Sequence, residues 1–447
     1  MKKLFQYILM AVAVVVTASC SNELDEALQP ANNGTLQFVV SDFPMFGEGI
    51  QTRVIGTQDE GKTAWENGDQ IIITLTSERF GEQTTAITYD GTNWGTEVSL
   101  SYLENEIPTV SAVYAPCYEV TVEGVKQLRS GMQLGMCEYL EADCEIQNGT
   151  INISFADALR TYSRLRIAGL ENQTLTVTTT DFTPEGATSV ATEPYTLTTD
   201  EKGNAYLYGT FAEGATVKVK KGDVTLTDYT FTFTTELIQS YALDARPVID
   251  GTLGGKATAE ESDITALVEQ LKAYVDNGIT TIIVPGSEPA LIEMDSWTNT
   301  AIGEAIYRLS GSDDYDENNP YNGKIDLILP DVTEIFDQEF HSARALNSIT
   351  LPKVTKLADQ AFYGTLYLRT ITFGSVITEV NELGAILNQV GYNVGGCDLI
   401  LNCGQMNESN VPAPDLTNNI WKFKFENEFK SITLTHTGEC DECKANQ

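Results

Sequence analysis

Histidine is almost missing from this 447-residue chain, which has only His341 and His436. With so little imidazole, His-ligated zinc sites and general-base catalysis by histidine have almost no material to work with. Basic side chains are scarce too, 27 against 63 acidic ones for a net charge of -36. A surface that negative repels phosphate backbones, which excludes nucleic acid as a partner. Beyond the N-terminal segment no apolar run approaches the roughly 18 residues a membrane helix needs, so the rest of the chain is expected to be soluble. The sequence also lacks a Walker loop, an HExxH pair and a GxSxG elbow. In a chain this acidic, two carboxylates close in sequence are no glycosidase signal. Nothing calls for a catalytic residue, a metal or a cofactor. What is present is an ordinary globular composition, 42% hydrophobic and 20% charged, in a length that suits about three domains.

Residues 1–19 read as an address. Lys2 and Lys3 form a positive n-region, and Ile8 to Val16 supply an apolar stretch of secretory type. Thr17-Ala18-Ser19-Cys20 then resembles a bacterial lipobox, which makes Cys20 the expected lipid attachment site; ordinary cleavage beside a chance cysteine is the alternative. Residues 20–34 form an acidic tether around Glu23, Asp25 and Glu26. Acidic residues directly after a lipidated cysteine resemble the surface-export signal of lipoproteins in Gram-negative gut and oral anaerobes. The expected location is the cell outer membrane, with the chain exposed at the surface.

Residues 35–250 read as β structure. Leu36, Phe38 and Val40 alternate with polar neighbours, as do Tyr229, Phe231 and Phe233. Val217 to Lys220, a turn at Lys221-Gly222-Asp223 and Val224 to Leu226 make a hairpin. Many short strands between Gly, Asp and Asn turns predict two small β-sandwiches, over 35–168 and 169–250, with the join near Gly169.

Thr52-Arg53, Trp65-Glu66-Asn67-Gly68-Asp69-Gln70-Ile71-Ile72-Ile73, Tyr89-Asp90-Gly91 with Trp94, and Ala112 to Pro116 together resemble the fimbrillin family of fimbrial subunits and their relatives. Physically, Trp65 can anchor an edge of the core, Asn67-Gly68-Asp69 can turn tightly, and the isoleucines can enter a sheet. The resemblance covers about the first half of the mature chain and implies transthyretin-like sandwiches. Near Phe155-Ala156-Asp157, where relatives often place a histidine, this chain has none.

Residues 251–261, rich in small and polar side chains, read as a linker before the region 262–435. Ser262 is expected to cap a helix carrying Ile264, Leu267, Val268, Leu271, Tyr274 and Val275 on one face, ended by Asn277-Gly278. A second helix around Ile302, Ala305, Ile306 and Leu309 is expected to stop at Gly311. A repeat follows, in which Leu329-Pro330, Leu351-Pro352 and Phe373-Gly374 are 22 residues apart. The columns Leu327, Ile349, Ile371; Val332, Val354, Val376; and Leu346, Leu368, Val390 agree with it. Looser copies at Ile279 to Pro285, Leu399 to Leu401 and Phe429 to Leu434 bring the count to six strands of a leucine-rich repeat solenoid. Glu339-Phe340 and Ala361-Phe362 resemble the corners of BspA-like leucine-rich repeat proteins, a family that implies binding of host extracellular proteins. Glu379 falls in an apolar column and Gly384 where Phe is expected, so the third coil departs from the pattern.

Cys440-Asp441-Glu442-Cys443, in the polar tail 436–447, has no second CxxC to complete a zinc site. Pairing among Cys117, Cys137, Cys144, Cys397, Cys403, Cys440 and Cys443 is left open. The acidic loop 313–319 has EF-hand-like spacing at Asp314, Asp316 and Asn318 but Asn319 and Ile325 at the two defining positions, so a solvated loop is favoured over calcium.

The fold class is mainly β, two sandwiches followed by a solenoid. Its expected role is that of a non-enzymatic surface adhesin or a tip or accessory subunit of a fimbria. Partners would be host extracellular-matrix or other surface proteins and fimbrial subunits, with the lipid anchor in the outer membrane. The solenoid's strand face, with Ile328, Ser348, Thr350, Thr370 and Thr372 pointing outward, is the expected ligand site, and the insertions 296–323 and 404–420 are the fallback. A glycan-capturing lipoprotein of a nutrient-uptake system is the alternative, with Trp297 and Trp421 as platforms.

Overall fold

The computed structural model describes residues 36–44, 47–48, 62–96, 98–103, 106–155, 160–249, 258–286, 290–292, 298, 300–311, 316–380, 388–402 and 429–435. Several expectations lie outside these residues: the signal segment, Cys20 and the tether, Thr52-Arg53, Trp297, Asp314, Gly384, Cys403, Trp421 and the tail with His436, Cys440 and Cys443.

The first region contributes β1 (Gln37–Val40), β2 (Gly47–Glu48), β3 (Gln70–Ser77), β4 (Gly81–Tyr89), β5 (Trp94–Gly95), β6 (Thr109–Tyr114), β7 (Tyr118–Val120), β8 (Lys126–Leu128), β9 (Leu140–Gln147) and β10 (Thr150–Ser154). Seven of them form one sheet in the order β1-β10-β9-β6-β3-β4-β5, antiparallel except where β1 runs parallel to β10. The two end strands, β1 and β5, lie against each other without a shared ladder, so the sheet curls round on itself and its opposite halves face across one core. That core holds Ile71, Ile73, Leu75, Ile87, Leu140 and Ile151. Gly68 takes φ +95°, a value open to glycine, and lets the chain turn from Trp65 into the isoleucine strand. On the outer face the hairpin β7–β8 packs Tyr118 and Val120 over Ile72 and Val113, and the Cys117–Cys137 disulfide ties its base.

The second region holds β11 (Ser163–Ala168), β12 (Thr174–Thr179), β13 (Phe182–Pro184), β14 (Tyr195–Thr198), β15 (Asn204–Phe211), β16 (Thr216–Lys221), β17 (Val224–Thr230) and β18 (Gln239–Asp244). A five-stranded sheet, β13-β15-β11-β18-β2, faces a four-stranded one, β14-β12-β16-β17. Between them lie Leu165, Ile167, Leu175, Val177, Val217 and Val219, with Phe211 stacked between Phe182 and Phe231. The expected join at Gly169 is therefore too late. Residues 163–168 bury Leu165 and Ile167 in the second core, so the division comes before Ser163, and β2 crosses back from the first region to pair with β18. A buried ion pair sits near the division: Arg160 reaches Glu138 at 2.6 Å and donates to the Pro44 carbonyl.

The third region holds β19 (Thr258–Ala259), α1 (Glu261–Asp276), β20 (Thr281–Ile283), β21 (Leu291–Ile292), α2 (Ala301–Leu309), β22 (Ile325–Ile328), β23 (Glu334–Ile335), β24 (Leu346–Leu351), β25 (Lys356–Leu357), β26 (Thr370–Phe373), β27 (Glu379–Val380), β28 (Cys397–Asn402) and β29 (Phe429–Thr435). The six segments singled out by the repeat, β20-β22-β24-β26-β28-β29, form one sheet, parallel throughout. A second parallel ladder, β23-β25-β27, runs beside it. Residues 258–259 pair with β21 and helix α1 starts at Glu261, so the last part of the expected linker is ordered. Glu260, not Ser262, is the N-cap, and its N–H donates to Asp263 at 2.9 Å. Contact with the second region is direct: Ile249 N–H donates to the Ile283 carbonyl at 2.8 Å, and Asp223 N–H, at the hairpin turn, donates to Asn277 Oδ1 at 2.9 Å.

Candidate functional site

The strand face grows out of the 22-residue spacing. In β22, β24 and β26 the alternate residues Leu327, Ile349 and Ile371 are fully buried and in register. Their neighbours must then point the other way. Backbone pairing sets Ile283, Ile328, Thr350, Thr372, Ile400 and Thr433 in one row across six strands. At ordinary strand spacing such a row is about 24 Å wide. Ile328, Ser348, Thr350, Thr370 and Thr372 are all half-buried, so the structure brings together every residue the sequence placed on this face.

A second row brings carboxylates to the same face, beside these uncharged side chains. Thr281, Asp326, Ser348, Thr370, Asp398 and Ser431 line up two residues away. Asp326 accepts from Ser348 Oγ at 2.6 Å and Asn347 Nδ2 at 2.7 Å; Asp398 accepts from Ser431 Oγ at 2.6 Å. Asp326 lies one 22-residue period before Ser348, so the polar columns of the repeat mark it. Asp398 falls outside those columns, because 28 residues separate the paired Ile371 and Leu399.

The coil corners show the same stacking. Phe340 and Phe362 are fully buried and parallel, ring centroids 5.7 Å apart, and His341 stacks on Tyr363 at 5.0 Å. Gln338, Gln360 and Gln389 all take positive φ, so a glutamine marks each of these corners. Beside Phe340, Glu339 is wholly buried: Oε2 accepts from Phe336 N–H at 2.9 Å while Oε1 has no partner. Burial, reinforced by the Glu334 charge and opposed by that hydrogen bond, pushes its carboxyl up to about 8. Where the next coil has Ala361, no such group arises.

Between β26 and β27 the third coil holds one extra residue. Lys356 pairs with Glu379 across 23 positions, and the Val332 and Val354 column continues in fully buried Ile377, with Val376 only half-buried. Glu379 thereby leaves the apolar column and meets Lys356 at 3.0 Å.

Of the remaining candidates, Cys144 and Cys397 are free thiols. Among the described residues no group of three or more His, Cys, Asp or Glu could hold a metal ion, and no helix is long and apolar enough to cross a membrane.

No family model and no curated protein matches the chain. Among solved structures, a candidate cell adhesion protein from Bacteroides fragilis is similar at 12% identity and a TM-score of 0.24, over 47% of this chain and 92% of that one. The shaft pilin SpaA from Lactobacillus rhamnosus GG is similar at 11% identity and a TM-score of 0.17, over 48% of this chain and 99% of that one.

Proposed function

We propose that this chain is a cell-surface lipoprotein, anchored through Cys20 in the outer membrane, that acts as an adhesin or as a tip or accessory subunit of a fimbria. In this reading residues 262–435 are a leucine-rich repeat solenoid whose strand face docks host extracellular-matrix or other surface proteins. The observation that carries it is the row Ile328, Thr350 and Thr372, held in register on a parallel sheet by fully buried neighbours. Short side chains there let a partner approach the sheet closely, and both aspartates of the neighbouring row accept hydrogen bonds from serines. The protein region that follows the sandwiches would obstruct a donated C-terminal strand, which favours a terminal position over a shaft repeat.

The test is the triple variant Ile328→Lys, Thr350→Lys, Thr372→Lys in a pull-down against extracellular-matrix proteins. The buried columns are untouched, so circular dichroism should report the native fold while capture is lost. A folded triple variant that still captures the same partner would overturn the strand-face reading. Separately, Cys20→Ala should leave the membrane fraction, since the lipid supplies the apolar area that holds the chain there.

A further inference from the structure

The seam of the first sheet offers a binding site on a different part of the molecule from the strand face. Where β1 and β5 meet without a ladder, a cleft of about 1040 Å³ opens. Its wall is aromatic. Trp65 is fixed by edge-on contacts with Phe43 and Tyr114 at 4.9 and 5.2 Å, and its indole N–H is committed to the Ser41 carbonyl at 2.7 Å. Trp94 stands edge-on to Trp65 at 5.1 Å and is tilted 31° from Tyr89 at the same distance. Both Trp94 and Tyr89 are half-buried and line the cleft, so rigid ring surface is presented to it.

Polar groups surround the rings. Gln37, Asp42, Asn93 and Ser99 line the cleft; their side chains are exposed and make no hydrogen bond or ion pair among the described residues. The turn that carries Asn93 is held by Asp90, whose Oδ1 accepts from the N–H groups of Thr92 and Asn93 at 2.8 and 2.7 Å. No Lys or Arg is among the described lining residues, and Asp42 is their only charge.

We propose that this cleft binds a neutral oligosaccharide. The apolar C–H face of a pyranose ring stacks on tryptophan or tyrosine, while its hydroxyls need amide, carboxylate and hydroxyl partners at the rim. A sulfated or uronic-acid glycan would meet Asp42 with no cation among the described lining residues to offset it. A peptide strand added at the seam is disfavoured by length: β5 spans two residues, too short for a ladder on that side.

The experiment titrates the full-length mature protein with tetrasaccharides of glucose, N-acetylglucosamine, mannose and galactose. A heparin tetrasaccharide and an extended hexapeptide serve as contrasts, and calorimetry and tryptophan fluorescence are the readouts. At least one neutral tetrasaccharide should bind and change the fluorescence. Trp94→Ala should weaken it roughly tenfold or more, the equivalent of about 1.4 kcal/mol. Asn93→Ala, at an exposed position, should weaken it several-fold with an unchanged melting temperature, which keeps the test valid if Trp94→Ala unfolds the sheet. The proposal is overturned if no neutral tetrasaccharide binds by about 1 mM, if both variants bind like the parent, or if only heparin or the peptide binds in a Trp94-dependent way.

Discussion

The antiparallel region, 36–249, and the parallel region, 258–435, bury their apolar surface in opposite ways. In the first, ladders join residues far apart in sequence: β1 finds β10 more than a hundred residues on, and β11 lies beside β18. The cores carry aromatic clusters among their aliphatic residues, with Phe43, Trp65 and Phe155 in or against one and Phe182, Phe211 and Phe231 in the other. The region also carries local ties, the Cys117–Cys137 disulfide at the base of the hairpin and the buried Arg160–Glu138 pair. In the parallel region each strand pairs with the next one in the sheet, the columns are mainly aliphatic, and no disulfide occurs among the described residues. A stack of that kind resets its register strand by strand, so it absorbs the longer spacing between Ile371 and Leu399 that a long-range antiparallel pair would not.

The contrast breaks most visibly at the stacked phenylalanines. Phe362→Ala removes a fully buried ring whose neighbours are fixed by the coils on either side, at a cost of about 3–5 kcal/mol. Because coils are stabilised by their neighbours, calorimetry should show the transition of the parallel region displaced to lower temperature and that of the sandwiches little changed. The reverse lesion is the double variant Cys117→Ser, Cys137→Ser. Its bond closes a loop with a sequence separation of 20, worth about 3 kcal/mol by loop-closure entropy. Here the early-melting part should be the first sheet and its hairpin, followed by the two tryptophans Trp65 and Trp94 in fluorescence. If both variants move one shared transition, the two regions unfold as a single cooperative unit and the contrast is one of architecture alone.

How much could be read beforehand follows from the same contrast. Periodicity and looser copies marked all six strands of the parallel sheet, and the 22-residue columns expose the register of β22, β24 and β26 directly. The period misplaced Glu379, since one inserted residue shifts every later column and leaves no mark of its own in the sequence. In the antiparallel region, alternation and the Gly222 turn located β1 and the hairpin β16–β17, but gave no partner beyond that hairpin. Residues 163–168 alternate equally well in either sandwich, and only the packing of Leu165 and Ile167 decides for the second. The seam cleft was illegible for a similar reason: Trp65, Trp94 and the turn before Trp94 lie in the motif segments, but Gln37 and Asp42 join them at the cleft only because β1 and β5 close on each other.

A titration sharpens the picture at one corner. Glu339 is pushed up to about 8 by burial, against an ordinary glutamate value of 4.5 in the unfolded chain. Between those values the folded state holds a proton that the unfolded state has released, so this group makes stability fall as pH rises from about 4.5 to about 8, with no further loss above. Glu339→Gln keeps the shape, keeps an acceptor for Phe336 N–H and has nothing to ionise. It should raise the melting temperature of the parallel region at pH 8 by several degrees and flatten its pH dependence there, while the antiparallel region melts as before. An unchanged pH profile in the variant would mean the carboxyl is not the titrating group.

The smallest effect tests the register itself. A strict 22-residue period puts Glu379 in line with buried Leu357, where replacing a carboxylate by leucine would relieve an unfavourable burial and stabilise the fold by well over 1 kcal/mol. The observed pairing puts Glu379 beside Lys356 instead, with its side chain 64% exposed and the lysine 43% exposed. An ion pair that open to water contributes about 0–1 kcal/mol and is screened by salt. Glu379→Leu should therefore shift stability by no more than about 0.5 kcal/mol in either direction, and by less in high salt, where the parent has already lost most of the attraction. Urea melts of parent and variant at low and high salt measure this directly. A clear stabilisation that persists in salt would return Glu379 to the apolar column and remove the inserted residue from the third coil.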